Sequence, residues 1–242
     1  MRIKILGSSG YLGSYLAQEL GKDPNLTVIL DDKRIKKDNI DLLINCSGLV
    51  DVALCEENPS ESFEANCAYV IKQCDIVKPK YVINMSSYFV YDKDGNVFNT
   101  NYAKHKALAD KYLLDNYKCL VLVLGKLFGK SPNQQYKFPE ICIYEEVVNA
   151  ETIKHPFTSL KTVLKKVIES IYPERYISCG AFDLFDFFIS PEFFAISCKC
   201  RVAKIPSLNC FENWGKFKIP INHKNVENIS RDINEYFKEM RC

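Results

Sequence analysis

The chain has 242 residues, of which 47% are hydrophobic and 26% charged, with a formal net charge of +2. That is the composition of a globular protein with one substantial core, or of one main domain with a small appendage. The near-neutral charge gives no electrostatic case for nucleic acid or a membrane surface, and the apolar runs fall far short of a membrane span.

The chain opens on Ile3, Ile5 and Leu6, a short apolar run that predicts a buried parallel strand. A strand and a glycine loop at the start leave no room for a signal peptide, so none is expected. Gly7, Gly10 and Gly13 follow, and Leu12, Tyr15, Leu16 and Leu20 then recur at helical spacing. A strand, a glycine loop and a helix in this order turn bare backbone N–H groups and a helix N-terminus toward an anion. Glycine permits the tight turn and the close approach, so we read a dinucleotide phosphate turn rather than a plain loop.

Residues 26–30 (LTVIL) and 41–48 (DLLINCSG) are the next predicted strands. The connection between them is too short for a crossover helix, a strand and a second crossover. The third strand usual in such sheets is therefore expected to be reduced or absent. A helix is predicted over 58–76, with Asn58 as N-cap, Pro59 at the first helical position and Glu61 three residues after the cap. Its apolar face would be Phe63, Cys67, Val70, Ile71 and Cys74. A strand over 80–87, a helix over 101–116 and a strand with its turn over 119–129 complete the alternation. Such alternation predicts an α/β fold with a Rossmann-like, doubly wound parallel sheet, whose ligands lie beyond the carboxyl ends of the strands.

The second half differs. Leu160, Val163, Leu164, Val167, Ile168 and Ile171 form one stripe of an amphipathic helix. Residues 175–200 are rich in aromatics and are expected to mix strand with helix, and a closing helix is predicted over 222–240. These clusters read as core, and also as a lobe that closes over a substrate. We expect an NAD(P)-binding domain over 1–130 and a small C-terminal substrate lobe over 131–242, partly interleaved with it. The 11 cysteines contain no C-x-x-C pair, which predicts reduced packing thiols in a cytoplasmic protein. Only His105, His155 and His223 are available as imidazoles, none at ligand spacing from a cysteine pair, so no metal site is expected.

Two stretches could carry chemistry: residues 84–92 (NMSSYFVYD) and 101–110 (NYAKHKALAD). Tyr102 and Lys106 lie four apart on a predicted helix and so share a face. A lysine ammonium beside a phenol favours phenolate and would lower the tyrosine pKa from about 10. A tyrosine tuned in this way can exchange a proton with a substrate oxygen, and Ser87 at its strand end could hydrogen-bond the same oxygen. Among 14 tyrosines, Tyr102 is the one with lysine four residues on. His105 would point away from this face into solvent. His155 reads as a loop histidine within reach of a substrate diphosphate, and Lys33, Arg34, Lys36 and Lys37 read as a solvated basic run.

The glycine turn, the NCSG turn at 45–48, SSYFVY at 86–91 and the Tyr102/Lys106 pair together resemble the extended short-chain dehydrogenase/reductase family. The resemblance covers about residues 1–130. Residues 45–67 look most like the sugar-nucleotide reductases of that family, of the dTDP-4-dehydrorhamnose reductase type. It implies a Rossmann domain with a small substrate lobe, a nucleoside-diphosphate sugar as partner, and a homodimer. It implies a catalytic triad of Ser87, Tyr102 and Lys106. Tyr102 would be the general acid, and Ser87 would orient the carbonyl. Lys106 would lower the tyrosine pKa and hold the nicotinamide ribose. Backbone at Ser9, Gly10, Tyr11 and Leu12 would hold the pyrophosphate, and Cys46, Ser47 and Gly48 would line the cofactor cleft.

Departures narrow the reaction. Related dehydratases carry an acidic pair beside the serine, where this chain has Tyr88 and Phe89. GDP-fucose synthases carry a cysteine where Phe89 stands. Val123 and Lys126 replace the arginine and asparagine usual after the last Rossmann strand. The implied reaction is reduction of a 4-keto-6-deoxy sugar nucleotide. A 4-epimerase and a non-catalytic NADP-binding regulatory subunit are the alternatives. NAD and NADP both stay open, because Asp31 or Asp32 would bond a ribose 2′-hydroxyl while Lys33 and Arg34 could pair with a 2′-phosphate.

Overall fold

The structure is a computed structural model. It describes residues 1–31, 39–92, 95–133, 147–150, 155–171, 179–189 and 201–204, the strands at 147–150, 187–189 and 201–204 by their backbone. The described residues fall into two compact units. Of the described residues, one unit comprises those within 1–123, 131–133 and 163–183; the other comprises 124–130, 147–150, 155–162, 184–189 and 201–204.

The first unit is built on a six-stranded sheet. Its strands are β1 (Arg2–Leu6), β2 (Thr27–Leu30), β3 (Leu42–Asn45), β4 (Tyr81–Ser87), β5 (Cys119–Leu124) and β9 (Gly180–Leu184). They lie in the order β2-β1-β3-β4-β5-β9. β1 pairs in parallel with both β2 and β3, and β3 in parallel with β4. Ile3, Ile5, Leu42, Leu43, Ile44, Val82 and Ile83 are fully buried, because the interior strands of a parallel sheet are covered on both faces. The chain runs outward from β1 to β2, then returns past β1 to β3. That reversal is a topological switch point, the place where open α/β sheets bind their ligands, beyond the carboxyl ends of the strands. Among the described residues no strand lies outside β2. The fold is Rossmann-like α/β.

Helix α1 (Tyr11–Leu20) packs Leu12, Leu16 and Leu20 into the core. The predicted helix over 58–76 is three pieces: α3 (Pro59–Phe63), a π-helical turn over Glu64–Ala68, and α4 (Tyr69–Val77). A short helix that the sequence reading missed, α2 (Val52–Glu57), precedes them, capped by the Asp51 carboxylate accepting from the Leu54 N–H at 3.0 Å. Asn58 makes no side-chain cap. The extra residue of the π turn shifts the buried face. Ser62, Asn66 and Gln73 face inward with Cys67, Val70 and Cys74, while Phe63 is 44% exposed.

Helix α5 (Asn101–Asn116) is capped by Thr100, whose hydroxyl accepts from the Ala103 N–H at 3.1 Å. In α6 (Leu160–Ile171) the residues Leu160, Val163, Val167 and Ile171 are buried, and Ile168 of the predicted stripe is exposed. Cys55, Cys67, Cys74 and Cys119 are buried thiols. No helix among the described residues is long and apolar enough to cross a membrane.

The second unit holds a three-stranded sheet of β6 (Lys126–Phe128), β8 (His155–Ser159) and β10 (Phe187–Ile189), with β8 in the middle. β6 pairs with β8 in parallel, and β10 pairs with β8 antiparallel. β7 (Val147–Ala150) and β11 (Arg201–Lys204) form a parallel pair. The aromatic stretch over 175–200 thus contributes strands where it is described, and the predicted closing helix over 222–240 lies outside the described residues.

Among the described glycines, Gly13 has the least room for a side chain. A Cβ there would overlap the Gly7 carbonyl oxygen, which is backbone and cannot step aside. Gly13→Ala is therefore expected to cost about 2 kcal/mol or more, read as a lowered urea midpoint. An unchanged midpoint would mean that helix and turn are not in this contact.

Candidate active site beyond the central strands

The glycine turn is braced from three sides. Gly7 adopts φ +67°, and a Cβ on it would lie 2.8 Å from the Ser47 backbone, so the turn after β1 rests directly on the turn after β3. The Gly10 N–H donates to the Gly7 carbonyl at 2.9 Å, and Gly10 begins α1 with no side-chain cap. Asp31, at the end of β2, accepts from the Gly7 N–H at 3.2 Å and from the Tyr69 hydroxyl at 2.7 and 2.8 Å. The Asp31 N–H in turn donates to the Ser8 hydroxyl at 3.0 Å. From the third side, Ser131 donates to the Tyr11 carbonyl at 2.6 Å and Asn133 to the Ser9 carbonyl. Nothing in the sequence spacing pointed to Tyr69, Ser131 or Asn133. Asp32 and Lys33 lie outside the described residues.

The second turn is Cys46–Gly48. The Ser47 N–H and hydroxyl both donate to Asn45 Oδ1. Gly48 has φ +155°, and a Cβ there would meet Asn66 Oδ1 at 2.8 Å. Asn66 holds the next residue as a second backbone would: its Oδ1 accepts from the Leu49 N–H at 3.1 Å, and its Nδ2 donates to the Leu49 carbonyl at 3.0 Å. The π turn delivers this side chain, consistent with the enrichment of such bulges at functional sites. Two glycine turns in backbone contact leave no room for side chains, a surface to which a flat dinucleotide could come close.

Ser87, Tyr102 and Lys106 converge beside these turns. Ser87 ends β4, and its hydroxyl is hydrogen-bonded to that of Tyr102. Tyr102 is 5% exposed and packs with Cys55 and Val90. Lys106 is 6% exposed, and its Nζ donates to the Met85 carbonyl at 2.7 Å, within 3.9 Å of where a Gly48 Cβ would be. Burial pushes the Tyr102 hydroxyl up to about 12, with the Ser87 hydrogen bond pulling it down and the Asp110 charge pushing it up. The expected lowering by Lys106 is thus not what this arrangement produces. The ammonium is turned to a carbonyl, and desolvation dominates. Burial also lowers Lys106, against the raising effect of Asp110 and Cys46, and pushes the Cys46 thiol up to about 12.

Two histidine expectations are corrected. His105 is half-buried rather than solvated: Nδ1 lies 2.9 Å from the Ser62 hydroxyl, and Phe63 packs edge-on against the ring at 5.4 Å. The π turn, which swings Phe63 outward, creates that contact. His155 is no loop residue but the first residue of β8, 1% exposed. No cluster of three or more metal-ligating side chains occurs among the described residues.

No protein-family model matches the chain, and no curated protein is found similar to it. Solved structures do match. The dTDP-4-dehydrorhamnose reductase of Bacillus anthracis str. Ames, in complex with NADP, superposes with a TM-score of 0.76 at 16% identity, covering 98% of this chain and 99% of that one. The enzyme of the same name from Yersinia enterocolitica gives 0.75 at 17%, covering 98% of each chain. MoeE5 in complex with UDP-glucose and NAD gives 0.72 at 16%, covering each chain entirely. The likeness is one of fold.

The raised Tyr102 hydroxyl has a consequence for stability. The unfolded chain ionises this tyrosine near 10 and the folded chain near 12, so the folded state binds more protons between those values. Its contribution to stability is full below pH 10 and is lost as pH rises toward 12. Tyr102→Phe should remove about 2–3 kcal/mol of that decline. Urea midpoints of both proteins from about pH 9 to about pH 12 measure it, and parallel curves would contradict the burial.

Proposed function

We propose that this protein is an NAD(P)H-dependent reductase of a 4-keto-6-deoxy sugar nucleotide. One observation carries the reading: a half-buried Ser87 hydrogen-bonded to the buried Tyr102, and a buried Lys106, sit beside two glycine turns at the switch point of the sheet. The fold likeness to reductases crystallised with NADP supports it.

In this reading, the uncapped start of α1 and the backbone at Ser9, Gly10, Tyr11 and Leu12 hold the pyrophosphate. Gly7 and Gly13 let it approach, and Cys46, Ser47 and Gly48 line the cleft. A bound nicotinamide cofactor supplies the hydride. Ser87 orients the substrate carbonyl with the hydroxyl that now bonds Tyr102. Tyr102 is protonated at neutral pH and gives its proton to the carbonyl oxygen. Lys106 holds the ribose hydroxyls and offsets charge developing on the tyrosine oxygen. Residues of the region 131–242 hold the sugar nucleotide.

A second reading, a subunit that binds NADP without turnover, has one observation in its favour: Tyr102 is a weaker acid here than a lysine-tuned phenol. NADPH and NADH oxidation across a panel of dTDP-, GDP- and UDP-linked 4-keto-6-deoxy sugars separates the two. We expect oxidation with at least one sugar, and a loss of about 100-fold or more in Tyr102→Phe with cofactor affinity retained. Tight cofactor binding without oxidation of any sugar would replace the reductase reading by the second.

A further inference from the structure

Tyr102, Lys106 and Asp110 are successive i, i+4 positions on one face of α5, and Asp110 is 1% exposed. The reductase reading uses the first two and leaves the third unexplained. A buried carboxylate needs both hydrogen bonds and a counter-charge. Among the described residues Asp110 has three donors, none of them charged. Asn84 donates to Oδ1 at 2.6 Å, and Ser86 and Tyr91 donate to Oδ2 at 2.6 and 3.2 Å. Asn84 in turn accepts from Asn45 at 2.7 Å, and Asn45 accepts from Ser47. One continuous chain of hydrogen bonds therefore runs from the Cys46–Gly48 turn across β3 and β4 to α5. The positive charge that acts on Asp110 is that of Lys106. Lys106 itself donates to a neutral carbonyl, which orients the ammonium and leaves its charge unbalanced.

We propose that Asp110 is a positioning residue of this site: it is the buried counter-charge of Lys106, and through Asn84, Ser86 and Tyr91 it fixes the tip of β4 and the Cys46–Gly48 turn against α5. The ionisable groups around the pair are Tyr102 on α5, Cys46 after β3, Tyr91 after β4 and Cys119 on β5, with Cys55 of α2 facing Tyr102. Burial pushes Cys46, Tyr91, Tyr102 and Cys119 upward, so they stay neutral near pH 7 and cannot balance the ammonium. Asp110 is the acid left to do so. Burial pushes its carboxyl above the ordinary carboxylate value, and Lys106 and the three donors pull it back toward the charged form.

The proposal draws its relevance to turnover from the reductase reading, but its electrostatic content is measurable without substrate. The full-length protein, labelled at lysine Cε with ¹³C, reports the charge of Lys106 by NMR, its signal assigned with Lys106→Arg. In Asp110→Asn the midpoint at which Lys106 loses its proton should fall by about one pH unit or more, and Asp110→Glu should restore it. Tyr91→Phe removes one donor while keeping the fold, and should move the midpoint the same way by less. An unmoved midpoint in Asp110→Asn overturns the proposal. If that variant does not fold, an unmoved midpoint in Tyr91→Phe overturns it. Should the wild type oxidise no cofactor with any keto-sugar while the midpoint shifts as expected, the reductase reading fails and the counter-charge stands.

Discussion

A lysine, a tyrosine and an aspartate buried together on one face of α5 are the constraint around which the rest of the first unit is arranged. Leaving one of two buried charges unpaired costs on the order of 3–5 kcal/mol, so the three must be satisfied as a set. The neighbouring strand ends are polar for that reason. β3 ends in Asn45, and β4 carries Asn84 and Ser86 between buried apolar residues. The Asn84 amide and the Ser86 hydroxyl replace water that Asp110 loses, Asn45 donates to Asn84, and Met85 supplies a carbonyl for Lys106. The same arrangement leaves Ser87, one residue further on, to bond Tyr102.

The glycine turns answer a different requirement. Gly7 and Gly13 are needed because backbone lies against backbone, with no space for a Cβ at either position. Such closeness has to be maintained by polar groups that reach across the chain. Asp31 and Tyr69 hold one turn, Asn66 holds the other, and Ser131 and Asn133 fasten the start of α1. The π turn in the helix after α3 holds Asn66, which faces inward with Cys67, Val70 and Cys74. Phe63 is displaced to the surface as a result and packs on His105.

Much of this was legible in the sequence. The strand at 2–6 contains the predicted run Ile3, Ile5 and Leu6, and those at 27–30, 42–45, 81–87 and 119–124 lie inside predicted runs, because continuous aliphatic stretches in a parallel sheet have few other places to go. Tyr102 and Lys106 were legible because a helix converts a spacing of four into a shared face. Reading one more turn of the same face would have reached Asp110. The short connection between β2 and β3 pointed to a reduced or absent third strand; no described strand lies beyond β2, and residues 32–38 of that connection lie outside the described residues. The helix over 58–76 was misread in detail, since no local propensity signals a π turn whose purpose is a contact 17 residues upstream.

The sequence by itself determined the order of the elements, the glycine turn and the face of α5 that carries Tyr102, Lys106 and Asp110, all set by spacing along the chain. Tertiary structure decided the rest. It brought Asn84 from β4 onto Asp110, Tyr69 onto Asp31 and Asn66 onto Leu49, pairings separated by 26, 38 and 17 residues. It also decided how acidic Tyr102 is. Spacing put a lysine near the phenol and predicted a lowered value, but burial of the whole face reversed the sign. A protonation equilibrium follows the surrounding dielectric and the direction in which each charge points, and neither exists until the chain has closed around the site.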